Sequence, residues 1–235
     1  MHYTQDESYY ILDAKPEGTV YLGVKTGIDP QAMIRDLKIA QTGANRFPDE
    51  TYINCFPAKK HDHFLIPAGT VHCSGKNTMI LEISATPYIF TFKLWDWDRV
   101  GLDGLPRPVH IEHGANVIQF DRDTQWVKAN LINAVSILRD EPGHVEERTG
   151  LHEREYIETR RHTFNRSIDL KTDGSVQMMN LIEGEAVVIE SPESAFEPYT
   201  VHYAETWIIP QAVKSFSMRP VNGSTVKVIR AYVRH

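Results

Sequence analysis

The side chains best suited to chemistry gather around one short apolar run. Asp62 to Asn77, DHFLIPAGTVHCSGKN, reads as a strand, a tight turn at Pro67-Ala68-Gly69-Thr70 and a returning strand whose first inward side chain is His72. Pro67 fixes its own φ and Gly69 admits backbone conformations that other residues avoid, so the reversal is sharp and the register after it is defined. A neutral imidazole there can take a metal or can simply be structural. Glu7 heads an earlier strand, where a carboxylate is either a ligand or a solvated edge charge. Lys93 and Arg99 bracket Leu94-Trp95-Asp96-Trp97-Asp98. Cations of this kind can hold a phosphate, although Arg99 can equally pair with Asp96 or Asp98. His61 and His63 flank Asp62 in the manner of a metal triad, yet Lys59 and Lys60 just before them suggest an exposed turn. In a tight hairpin His63 shares the face of His72, as a substitute ligand or as a pocket-lining residue. Period two puts Trp95 and Trp97 together on one face, as packed core or as a sugar-stacking wall. His144, His152, His162 and His202 have no partner pattern and read as structural or solvated.

The elements that must position these groups are mostly strands. Ser8 to Asp13 and Thr19 to Val24 are β-rich and separated by the turn signal Ala14-Lys15-Pro16-Glu17-Gly18. Asp29-Pro30 supplies an N-cap and a first-turn proline, Met33, Ile34 and Leu37 recur at helical spacing, and Gly43 closes the one clear helix. Thr78 to Ile83 and Tyr88 to Trp95 are rich in β-branched and aromatic residues and read as strands. Leu105-Pro106-Arg107-Pro108 breaks any regular element. Beyond about residue 115 the pattern begins again, with strands at Phe164 to Leu170, Val176 to Ile182, Ala186 to Glu190, Thr206 to Ile209 and Thr225 to Val233. Thr206-Trp207-Ile208-Ile209-Pro210 lays over His63-Phe64-Leu65-Ile66-Pro67 and sets Ser215 opposite His72. Trp126 to Leu138 fits a helix or a strand.

The 235 residues accommodate one large β domain or two modules of about 100 to 120 residues each. A net charge of −6, with no Lys/Arg run longer than two, argues against nucleic acid or an anionic membrane as partner. An anionic substrate then needs locally placed cations. The start MHYTQDESYYIL has no basic leader or apolar core, and no stretch approaches the ~20 apolar residues of a membrane span, which points to a soluble cytoplasmic protein. Cys55 and Cys73 form neither a CxxC site nor a disulfide framework and read as reduced structural thiols.

Ile66-Pro67-Ala68-Gly69-Thr70-Val71-His72, followed by Asn77, resembles the second motif of the cupin superfamily, whose small β-barrels hold a metal near the barrel mouth through the motif's histidine. His61 stands where that motif usually has Gly. Two further stretches narrow the resemblance to the type I mannose-6-phosphate isomerases. Asp6-Glu7-Ser8-Tyr9-Tyr10-Ile11-Leu12-Asp13-Ala14, with Tyr21-Leu22-Gly23 after it, is similar to that family's K-x-E-x-W-Y-I-L-x-A and Y-x-G-F. Thr91-Phe92-Lys93-Leu94-Trp95-Asp96-Trp97-Asp98-Arg99, leading to Gly104-Leu105-Pro106-Arg107-Pro108-Val109-His110-Ile111-Glu112, is similar to T-Y-R-x-Y-D-Y-x-R and its continuation.

The resemblance implies an all-β fold of two cupin-like jelly-roll or β-barrel modules with one short helix inserted in the first. A metal-binding module then occupies 1–115 and a degenerate one 116–235. It implies a zinc-dependent aldose-ketose isomerase that interconverts mannose 6-phosphate and fructose 6-phosphate. Glu7 and His72 stand at two metal-ligand positions, with His63 as the open substitute. Lys93 and Arg99 stand at cationic active-site positions, and Trp97 lies beside them as a substrate contact. The family's Q-x-H-P ligands precede the region that starts here, Gln5 replaces a Lys and Lys93 replaces an Arg. The expectation is therefore an N-terminally shortened first barrel, whose open edge predicts dimerisation or reduced stability. A non-catalytic sugar-phosphate-binding cupin is the alternative, and a 2-His-1-carboxylate iron enzyme is disfavoured by the lack of an H-x-H…E motif.

Overall fold

The computed structural model describes residues 5–84, 91–150 and 156–234. The backbone divides into two units, Met1–Ile132 and Asn133–His235. The first runs past the expected limit at residue 115 because Val127 and Leu131, on and beside its last helix, are buried in the same apolar cluster as Tyr9, Ile11 and Phe64.

In the first unit the strands are β1 (Glu7–Ala14), β2 (Thr19–Val24), β3 (Ile53–Pro57), β4 (His63–Ile66), β5 (His72–Ser74) and β6 (Thr78–Ser84). They make two antiparallel three-stranded sheets, ordered β4-β1-β6 and β3-β2-β5. Tyr9, Ile11, Phe64 and Ile66 of one sheet cluster with Val20 and Leu22 of the other. The expected helix is α1 (Pro30–Gln41), capped by Asp29, whose side chain accepts from Gln31 N, with Met33, Leu37 and Ala40 buried. Short helices α2 (Asp49–Tyr52), α3 (Ile111–Gly114) and α4 (Thr124–Asn130) join it, so more than one helix is inserted.

Two local expectations fail in this unit. β4 and β5 do not pair as a hairpin: β4 hydrogen-bonds to β1 and β5 to β2, so the Pro67–Thr70 turn carries the chain from one sheet into the other. Of the strand expected at 88–95, Tyr88 to Phe90 lie outside the described residues, and Thr91 to Trp95 form no strand. That segment is anchored instead by His110 N donating to Lys93 O (2.7 Å) and Trp95 Nε1 donating to Asp98 Oδ1 (2.7 Å). His152 also lies outside the described residues.

The second unit contains β7 (Ser136–Glu141), β8 (His144–Gly150), β9 (Ile157–Phe164), β10 (Ile168–Lys171), β11 (Gln177–Glu183), β12 (Ala186–Glu190), β13 (Tyr199–His202), β14 (Thr206–Ile209), β15 (Ser215–Pro220) and β16 (Val226–Val233). They form a six-stranded sheet, β14-β11-β16-β9-β8-β7, and a four-stranded one, β10-β15-β12-β13. Phe164, Met179, Leu181, Val187, Phe216 and Val228 belong to its core. The run 126–138 holds both a helix and the start of a strand, and the strand expected at 164–170 is split by a turn. Among the described residues no helix is long and apolar enough to cross a membrane.

Candidate active site

Antiparallel partners share a face, so β1 and its neighbours dictate what Glu7 meets. Glu7 lies opposite Ile66 on β4 and Ser84 on β6, and Tyr9 lies opposite Phe64 and Glu82. Glu7, Tyr9, Ser84 and Glu82 therefore share one face. His63 is opposite Tyr10, their rings 6.2 Å apart, and that is the other face. The structure thus separates His63 from His72: the two strands belong to different sheets, and period two turns His63 away from Glu7.

His72 and Glu7 do meet, with Nε2 2.6 Å from Oε1. His72 Nδ1 lies 2.8 Å from Thr70 O, and since a carbonyl only accepts, this nitrogen carries a proton. Nε2 then faces a carboxylate oxygen that is buried and has no other hydrogen-bond partner. Two lone pairs cannot stand 2.6 Å apart, so at this separation a second ring proton lies between them. A metal ion bound to both atoms would hold them wider, about 3 Å apart. Burial works to raise the Glu7 carboxyl, but the His72 imidazole outweighs it and holds the group below its usual range. Burial likewise lowers the His72 imidazole, and the Glu7 carboxylate overrides it to leave the ring's pKa raised. The other Glu7 oxygen accepts from Gln5 Nε2 at 2.7 Å.

Sequence reasoning missed two neighbours. The Ser84 hydroxyl lies 2.8 Å from Glu82 Oε1 and 3.4 Å from Glu7 Oε2, which brings a second carboxyl to the pair. Burial raises the pKa of Glu82, and Glu7 beside it adds to the effect. An acid in the apolar run Thr78-Met79-Ile80-Leu81-Glu82-Ile83, on the face turned to Glu7, was the available signal. Arg122 is the second: its Nη1 sits 2.8 Å from Pro67 O, 2.7 Å from Ala68 O and 2.6 Å from Thr70 Oγ1. Asp6, next to Glu7, accepts from Ala68 N in the same turn. Gly69 sits in the turn at φ +84°, and a Cβ there would lie 2.5 Å from Val117 O, so only glycine fits.

His72 lines a cavity of about 520 Å³ together with Lys93, Trp97 and Arg99. Arg107, which the sequence suggests only as a residue that sets the loop after Leu105, joins Lys93 and Arg99 around the buried Asp96, at 3.5, 3.5 and 3.8 Å respectively. One carboxylate shared by three cations leaves a local excess of positive charge in an acidic chain. Trp97 packs edge-on to Tyr21 at 5.3 Å and against Trp95 at 4.6 Å, so the two indoles do meet, though not through strand alternation. Cys55 and Cys73 flank Tyr21 across three adjacent strands, and both are free thiols. Burial, then Cys55, pushes the Tyr21 phenol up to about 12.

A buried carboxylate whose Oε1 has an imidazole nitrogen as its neighbour is a donor pair of the kind that serves as two ligands of a divalent metal site. Among the described residues no cluster of three or more His, Cys, Asp and Glu suits a metal.

The cavity is walled by strand residues Tyr21 and His72, by Met33 and Leu37 of α1 and by the segment 91–97, a concave, partly apolar site within a mainly antiparallel β fold. No family model matches the chain. The "Probable mannose-6-phosphate isomerase GmuF" of Bacillus subtilis is 28% identical over 124 residues, covering 48% of this chain and 33% of the relative. The mannose-6-phosphate isomerase of Streptococcus mutans is 39% identical over 62 residues, covering 26% and 19%. The chain thus spans a third or less of the length of these curated relatives. The crystal structure of the mannose 6-phosphate isomerase from Bacillus subtilis matches with a TM-score of 0.76 at 17% identity, over 97% of this chain and 65% of that one. A phosphomannose isomerase variant from Salmonella typhimurium matches with a TM-score of 0.64 at 11% identity, over 98% and 66%. In fold the chain is like solved mannose-6-phosphate isomerases, and over about half of its length its sequence is similar to curated proteins of that name.

Proposed function

We propose that the chain is a metal-dependent aldose-ketose isomerase acting on mannose 6-phosphate and fructose 6-phosphate, built as two cupin-like modules with the site in the first. The observation that carries this reading is the 2.6 Å approach of His72 Nε2 to the orphaned Glu7 oxygen, with His72 on the wall of the cavity that holds Lys93 and Arg99. Glu7 and His72 would hold the metal, zinc by the chemistry of the donors. When bound, such an ion supplies Lewis-acid stabilisation for the negative charge that develops as a proton moves between C1 and C2.

The other roles fall to this chain's own groups. Arg99 and Lys93, with Arg107 beside them, attract the phosphate and hold it against the Asp96 cluster. Trp97 offers an apolar wall to the sugar ring. Glu82 is a carboxyl with its pKa raised by burial and by Glu7, which suits it to take up and release a proton near the pair. The absence of a three-ligand cluster among the described residues favours a second reading, a cupin that binds the sugar phosphate without turning it over.

Solvent deuterium incorporation at C1 and C2 of both sugar phosphates, followed by NMR in D2O with zinc and then with a chelator, tests the proposal. Zinc-dependent exchange that His72→Ala abolishes is the expected result. A folded, zinc-supplied protein that exchanges nothing yet still binds the sugar phosphate would establish the second reading.

A further inference from the structure

We propose that Arg122 is a positioning residue for His72: its guanidinium fixes the Pro67–Thr70 turn, and the Thr70 carbonyl then holds the imidazole with Nε2 toward Glu7. The inference rests on the assignment of Glu7 and His72 as the metal pair.

Arg122 is 7% exposed, and a buried guanidinium is retained only where its donors are used. Here one nitrogen serves two carbonyls and a hydroxyl of a single four-residue turn. Thr70 is the shared node. Its Oγ1 accepts from Arg122 and donates to Pro67 O at 2.6 Å, its N donates to Pro67 O at 3.1 Å, and its carbonyl accepts the His72 Nδ1 proton. Any rotation of the turn moves the Thr70 carbonyl and the ring with it.

The clamp is itself well held. Arg122 O accepts from Val24 N at 3.2 Å, at the end of β2, the strand that pairs with β5. The guanidinium lies over Trp126 at 5.6 Å. The next residue, Asp123, caps α4 by accepting from Gln125 N and Trp126 N, both at 3.0 Å. Outer-shell partners that orient a ligating histidine in this way are worth about 10–100-fold in metal affinity.

Arg122→Met keeps bulk and removes every donor, while Arg122→Lys keeps the charge and part of the hydrogen bonding. Each full-length variant is examined for its circular dichroism, for zinc affinity by titration, and, free of metal, for the exchange rate of the His72 Nδ1 proton by 15N-edited NMR. A role in positioning predicts that Arg122→Met keeps its secondary structure, exchanges the Nδ1 proton faster and binds zinc about 10–100-fold more weakly, with Arg122→Lys in between. Unchanged ring exchange and zinc affinity in Arg122→Met would overturn it. Should that variant not fold, Arg122→Lys and Thr70→Val carry the same two readouts, and unchanged values in both would overturn it equally. If His72→Ala binds zinc as well as the parent, the metal assignment fails by itself, and the ring exchange still decides the role of Arg122.

Discussion

The turn at Pro67 in the first unit and the turn at Pro210 in the second follow one plan with opposite chemistry. Each follows a four-residue strand, closes with a bond to the proline carbonyl (Thr70 N to Pro67 O, 3.1 Å; Val213 N to Pro210 O, 3.0 Å) and passes the chain to the other sheet. The partner strands correspond too: Glu7 lies opposite Ile66 as Gln177 lies opposite Ile209. Where the first unit has Glu7, Glu82 and His72, the second has Gln177, Arg230 and Ser215. Gln177 is fully buried and spends both ends of its amide, donating to Thr172 O and Ser175 O and accepting from Arg230 Nε. The second unit carries its own cation in Arg230. The first has gathered carboxylates around an imidazole, whose own protonation or, on the proposed function, a metal ion supplies the positive charge. A common scaffold thus holds a titratable site in one copy and a self-satisfied polar core in the other.

The sharpest way to break that contrast is His72→Ser, which gives the first turn the residue of the second. Loss of a ligand exceeds the effect of losing a supporting partner, so zinc affinity should fall by more than about 100-fold and deuterium exchange should vanish. Retained zinc stoichiometry in a calorimetric titration would remove His72 from the site. Arg230→Met tests the other side. It strands the Gln177 carbonyl in the core, and urea unfolding should show a loss of about 1–3 kcal/mol without any change in zinc binding. Undiminished stability would mean that Arg230 does not satisfy this core.

The smallest effect is one of pH. His144 Nε2 and His162 Nδ1 are 3.1 Å apart in the second unit, and burial, reinforced by Arg139 for the first and Arg230 for the second, lowers both from 6.5. Such groups are neutral when folded and take up protons more readily when unfolded. Their contribution is therefore complete above pH 6.5 and is lost as pH falls from there toward the folded values. The decline should reach at most about 1.4 kcal/mol per pH unit for each histidine and should flatten in His162→Leu. An identical slope in that variant would assign the acid sensitivity elsewhere.

Much of this arrangement is legible in the chain. Period-two runs locate β1, β2, β6, β12 and β14, the Asp29-Pro30 start locates α1, and the family resemblance, carried by the Pro-Ala-Gly-Thr turn and the stretch around Glu7, implies the pair that meets. What local pattern cannot give is partnership. Nothing in residues 63–74 says that the two strands join different sheets, and that fact alone decides which way His63 faces. Arg122 escapes notice, and Arg107 is legible only as part of its loop, for the same reason: their partners are set by long-range packing. The segment 91–95 has strand composition, yet its backbone and side chains find partners in a loop rather than in a ladder.

The bonds from Arg122 to the turn span 52 to 55 residues of chain. During synthesis the strands bearing Glu7 and His72 leave the ribosome well before the residue that locks the turn between them. Val127 and Leu131, core partners of the same strands, follow Arg122 in the chain, so the packing of the first unit and the locking of the turn both wait for this stretch. On the proposed assignment, a metal ion would then be bound after the unit has packed and would not serve as a nucleus for its folding.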